Sequence, residues 1–75
     1  MGRLAGFDTR EVRRVAESVG WRYVRTTGDH LLYERAGERQ KLSIPNHRPI
    51  REGTMNQLVK KMGLSVDEFL RLARK

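Results

Sequence analysis

No cysteine occurs in the 75 residues, which excludes both a disulfide framework and a thiolate zinc site. Long apolar runs are also missing. The longest are three or four residues, so neither a membrane-crossing helix nor a signal-peptide core is expected, and a soluble cytoplasmic protein is. No glycine-rich phosphate loop, no Gly-x-Ser-x-Gly elbow and no paired-carboxylate pattern is present, which leaves the commoner nucleotide-hydrolase and esterase chemistries without their residues. The two histidines, His30 and His47, have sixteen residues between them and no His-x-Glu or Glu-x-x-His grouping, so neither a metal centre nor any other cofactor is expected. Acidic residues are scarce as well. Nine Asp and Glu stand against sixteen Lys and Arg, a net charge of +7. On so small a surface that charge favours a polyanionic partner such as nucleic acid or an acidic protein.

The length fits a single domain over residues 1–75. A chain of this size buries only about 60% of its unfolded surface, so any active site should lie open, which suits a polymer better than a small molecule. Met1 to Phe7 shows no periodicity and reads as a short mobile lead, with Leu4 or Phe7 available to fold back. Asp8 and Glu11 have capping-box spacing, and Val12, Val15, Ala16 and Val19 form one apolar stripe, predicting a helix over 9–19 that Gly20 ends. Trp21 to Thr26 is aromatic and β-branched, hence a strand. Gly28 and Asp29 turn the chain into a second strand, His30 to Arg35, and Ala36-Gly37-Glu38 turns it again into a third, Arg39 to Ile44. Pro45 should end that strand.

A polar, basic loop, residues 46–53, follows. Thr54 and Gln57 then have capping-box spacing for a second helix with Met55, Leu58, Val59 and Met62 on its apolar stripe. Ser65 and Glu68 open a short third helix, and Leu64 is placed to staple the two together. The expected fold class is α+β: a three-stranded antiparallel meander with helices packed on one face, in the order α-β-β-β-α plus a short C-terminal helix. Leu31 and Leu32 are both apolar, so alternation leaves open which face His30 takes.

The chemistry-bearing candidates follow from residue type. His30 sits at the mouth of a strand after a glycine turn, and histidine is the side chain best matched to proton transfer near neutral pH. Gly28 and Asp29 form the turn that positions it. His47 reads as an exposed loop residue; its functional alternative is phosphate contact or a second proton transfer. Arg22, Arg25, Arg35, Arg39 and Lys41 are spread over three neighbouring strands and, with Arg48 in the loop, form a candidate phosphate-binding surface, of the kind RNA binding needs, that Lys60 and Lys61 can extend. Trp21, Tyr23 and Tyr33 can stack on bases, although at least two of them are expected to fill the core.

The order of elements and three motifs resemble the HicA family of bacterial toxin endoribonucleases. They are Gly20-Trp21, Gly28-Asp29-His30, and Gly53-Thr54 running on through Met62-Gly63-Leu64-Ser65-Val66-Asp67-Glu68-Phe69-Leu70. The resemblance spans about residues 8–72 and rests on the order and spacing of the motifs together. It implies a double-stranded-RNA-binding-domain-like fold, messenger RNA as substrate and a HicB-like antitoxin partner that covers His30. It also implies a catalytic histidine in a Gly-Ser-His type motif, the place His30 occupies. Asp29 stands where serine is common. A carboxylate there can orient the imidazole or repel an RNA phosphate. Two other readings use the same residues: a non-catalytic RNA-binding module, which needs no His30, and a basic domain that binds an acidic protein.

Overall fold

Residues 2–74 are described by a computed structural model of the chain. Helix α1, Thr9–Ser18, starts where local chemistry places it: Asp8 accepts from the Glu11 N–H at 3.1 Å, and the Asp8 N–H donates to Glu11 Oε1 at 3.0 Å. It ends one residue before the expected limit, and Gly20, at φ 98°, takes the left-handed conformation that turns the chain toward the sheet. Val12, Val15 and Ala16 are buried on its inner stripe.

Three strands follow, β1 (Arg22–Thr27), β2 (His30–Glu34) and β3 (Leu42–Pro45), paired antiparallel in the order β1-β2-β3. Leu31 pairs with Ile44 and Tyr33 with Leu42, and all four are buried beneath the helices. Side chains alternate along a strand, so His30 and Leu32 must point to the opposite, open face. The register therefore decides the question that the two leucines left open. β1 carries an irregularity between Tyr23 and Arg25, and all six of its residues are exposed.

β3 is shorter at its start than expected. Arg39, Gln40 and Lys41 stay outside it, because the Glu38 N–H bonds the Arg35 carbonyl at 3.1 Å and the turn widens into a polar loop with no apolar face to bury. At its other end Pro45 belongs to the strand, opposite His30, instead of lying beyond it. The missing proline N–H costs nothing at a terminal position. The next amide, Asn46, resumes the pairing by donating to the Asp29 carbonyl at 2.7 Å.

Helix α2, Glu52–Lys61, begins two residues before Thr54, and the Thr54–Gln57 capping box does not form; Arg51 stands at the N-cap without a side-chain cap. The buried Ile50 fixes the entry point: its N–H donates to the Phe7 carbonyl at 2.8 Å, and the chain turns into the helix directly behind it. Helix α3, Val66–Ala73, has the expected Ser65–Glu68 box, with bonds of 2.8 and 3.1 Å, and buries Phe69. Leu64 packs against the core between the two helices.

The lead is packed and not mobile, and both residues available to fold back do so. Leu4 is buried, the Phe7 ring meets Phe69 edge-on with centroids 5.2 Å apart, and Arg3 pairs with Asp67. In a core this small, burying one more leucine is worth about 1.5–3 kcal/mol. Met1 lies outside the described residues.

Candidate functional site

The turn between β1 and β2 presents the principal candidate. Gly28 sits at φ 60°, a conformation that side chains with a Cβ rarely take, and it lets the chain reverse within two residues so that Thr27 faces His30 across the ladder. Asp29 Oδ1 then lies 3.1 Å from His30 Nδ1. His47 Nε2 lies 3.9 Å from the other carboxylate oxygen, Asp29 Oδ2. The carboxylate thus stands between two imidazoles, and all three side chains are about half exposed or more.

Thr9, at the start of α1, holds His47 in place. The buried Thr9 hydroxyl accepts from the His47 N–H at 2.9 Å and lies 2.7 and 3.1 Å from the carbonyl oxygens of Pro45 and His47. Together with the Asn46–Asp29 bond, this fixes the exit of β3 against both α1 and the histidine turn. His47 is an exposed loop residue, as expected, but its loop is anchored and its ring faces the Asp29 carboxylate.

Both histidines line a cleft of about 670 Å³ between the end of the sheet and α2. Arg51 and Lys61 supply cations to it, Ser43, Thr54 and Gln57 supply neutral hydrogen-bonding groups, and Ile50 and Leu58 supply apolar surface. A second cleft, about 380 Å³, shares His47 and adds Arg10, Arg13 and Arg48 beside Asp8. Among the described residues no group of three or more His, Cys, Asp and Glu side chains is arranged to hold a metal ion.

The basic residues expected on the sheet separate into groups. Arg25, paired with Leu32, shares the open face with His30, and Arg22 lies on the same face with Glu34 at 3.3 Å. Arg39 and Lys41 are exposed in the loop between β2 and β3, and Arg48 borders the second cleft. Arg35 is committed to the fold. Its guanidinium lies 4.6 Å from the Trp21 ring centre, donates to the Val19 carbonyl at 3.1 Å and pairs with Glu38 at 2.8 Å. Lys61 lines the principal cleft, and Lys60 is exposed beside it. Arg10, Arg13 and Arg51 were not anticipated. Their signal was spatial: the antiparallel register returns Pro45 to the level of His30, bringing the loop behind it and the start of α1 to the same place.

Of the three aromatics considered for base stacking, Trp21 and Tyr33 are buried and Tyr23 is exposed. The Tyr33 hydroxyl accepts from Arg13 Nε and donates to Glu17 Oε2, both at 2.7 Å. Burial pushes the Tyr33 phenol above its ordinary pKa, against the opposing pull of Arg13. The bond to Tyr33 in turn raises the Arg13 guanidinium.

Together these features define a small basic α+β domain of double-stranded-RNA-binding-domain-like fold, with an open histidine–carboxylate cluster beside a cationic cleft. A family model described as the HicA toxin of bacterial toxin–antitoxin systems matches residues 9–64. The chain belongs to the HicA toxin family and is a toxin of a toxin–antitoxin system. The match includes the histidine turn, the anchored loop and both clefts' helical residues up to Lys61, and α3 follows it. Among curated proteins, none matches the chain. No helix among the described residues is long and apolar enough to cross a membrane.

Proposed function

We propose that this toxin is an endoribonuclease that cleaves messenger RNA without a metal ion, with His30 as the residue that moves the proton. The observation that carries this reading is the placement of the His30 ring at the rim of a cleft bearing Arg51 and Lys61, with Asp29 Oδ1 3.1 Å from Nδ1. A carboxylate beside Nδ1 keeps the proton of the neutral ring on that nitrogen and leaves Nε2 as the acceptor. RNA carries its own nucleophile. Nε2 removes the 2′-hydroxyl proton, the oxygen attacks the adjacent phosphorus, and the bond to the 5′-oxygen breaks. Cations at the cleft stabilise the charge that builds on the phosphate oxygens.

Arg22, Arg25, Arg39, Lys41 and Arg48 are assigned to backbone contacts along the exposed strands and loops, with Gly28 and Asp29 positioning His30. Arg35 supports this surface through Trp21. A HicB-like antitoxin that covers His30 keeps the toxin inactive, and the cytoplasm is the compartment where both partners and the substrate meet.

The test is expression of the wild type and His30→Ala in a bacterial host, following growth and messenger RNA integrity, with purified proteins compared on RNA with and without EDTA. Wild type is expected to stop growth and cut RNA equally well in chelator. His30→Ala, folded by circular dichroism, is expected to lose about two or more orders of magnitude of cleavage. A folded variant that cuts at the wild-type rate removes His30 from the chemistry. RNA binding without any cleavage favours the non-catalytic module.

A further inference from the structure

We infer that His47 is a second catalytic residue of this site, the general acid that protonates the leaving 5′-oxygen while His30 takes the proton from the 2′-hydroxyl. The inference rests on the ribonuclease reading above and deepens it. In displacement at phosphorus the attacking and leaving oxygens lie roughly in line, on opposite sides of the centre. A single imidazole is poorly placed to serve both, and two arriving from different segments suit the geometry. His30 comes from the sheet and His47 from the loop that leads to α2, and both border the cleft that Arg51 and Lys61 make cationic.

Two features separate His47 from an incidental surface residue. Its Nε2 lies 3.9 Å from the carboxylate whose other oxygen contacts His30, so one side chain, Asp29, relates the two rings. Its backbone is tied to the buried Thr9 hydroxyl through the N–H at 2.9 Å, and its neighbour Asn46 is tied to Asp29 at 2.7 Å. The backbones that carry the two histidines are thus joined by the Asn46–Asp29 bond. The step balances within the RNA and the two rings. His30 gains the 2′-proton, the O2′–P bond forms and the P–O5′ bond breaks. The electron pair leaves on O5′, which takes the His47 proton. The products are a 2′,3′-cyclic phosphate and a 5′-hydroxyl end.

The test uses the full chain and two RNA substrates, one ordinary and one with sulfur replacing the bridging 5′-oxygen at one linkage, because a thiolate leaves without protonation. His47→Ala and His47→Gln are expected to slow cleavage of the ordinary linkage by about a hundredfold or more. Both should cut the sulfur linkage within a few-fold of wild type, an activity that also certifies their fold. His30→Ala should remain slow on both. Equal slowing of the His47 variants on the two substrates, normal cleavage of ordinary RNA by them, or rescue of His30→Ala instead would each overturn the assignment. A wild type that cuts neither linkage removes the ribonuclease reading itself, and this inference with it.

Discussion

At the scale of single residues, Asp29 has the most to answer for. It stands where the family commonly has serine, and its Oδ1 lies 3.1 Å from His30 Nδ1, a contact that under the proposed function orients the ring. A serine hydroxyl can also accept from Nδ1, whereas alanine cannot. Asp29→Ser is therefore expected to cut RNA within about tenfold of wild type, and Asp29→Ala about ten- to a hundredfold more slowly, the range set by losing one hydrogen bond to a charged group. Initial rates at fixed salt decide this, since RNA affinity itself depends on ionic strength. Equal rates for all three proteins would deny Asp29 any part in the site. His30 was legible in the sequence because its signal is local: a glycine turn and a strand start in three consecutive residues. His47 carried no such signal, since what gives it a neighbour is strand register and a threonine thirty-eight positions away.

Among the elements, those with local causes were read correctly. The Asp8–Glu11 and Ser65–Glu68 boxes both form, and the helices they open start at the expected residues. The Thr54–Gln57 box has the same spacing and is not used, because a buried side chain upstream, Ile50, sets where α2 begins. The lead read as mobile for a related reason: Leu4 and Phe7 were available to fold back, but periodicity cannot show that isolated apolar residues join the core. The joint between α1 and the end of β3 rests on one hydroxyl. Thr9→Val keeps the shape but leaves the His47 N–H without its acceptor, which should lower stability by about 1–3 kcal/mol. Cleavage should fall as well, because both β3 exit and histidine loop are held there. Thermal unfolding and RNA cleavage together check it; a variant with wild-type values for both would show the joint to be idle.

For the molecule as a whole, the Arg13–Tyr33–Glu17 chain ties α1 to the sheet and sets a pH limit. The folded state holds the Tyr33 proton more tightly than the unfolded chain does, since burial raises its pKa. That contribution to stability is complete below the ordinary tyrosine pKa, about 10, and is lost as pH rises through the folded value. Denaturation midpoints should therefore drop between neutral pH and pH values above about 10. Tyr33→Phe, which has no proton to lose, should show a shallower decline even though it starts from a lower stability. An identical pH dependence in the two proteins would assign the alkaline limit to other groups.

Trp21, the only tryptophan, is buried under Arg35 just before β1, at the opposite end of that strand from the histidine turn and roughly 20 Å along it. Its indole thus provides an intrinsic fluorophore whose emission reports cooperative unfolding, with the Arg35 guanidinium 4.6 Å from the ring centre. Under the proposed function, RNA held only at the cleft should leave that emission unchanged, whereas RNA that reaches Arg22, the residue next to the indole, should shift it. Emission followed during an RNA titration therefore reports whether the polymer reaches this end of the sheet, and its unfolding transition certifies, in the same cuvette, that each variant is folded.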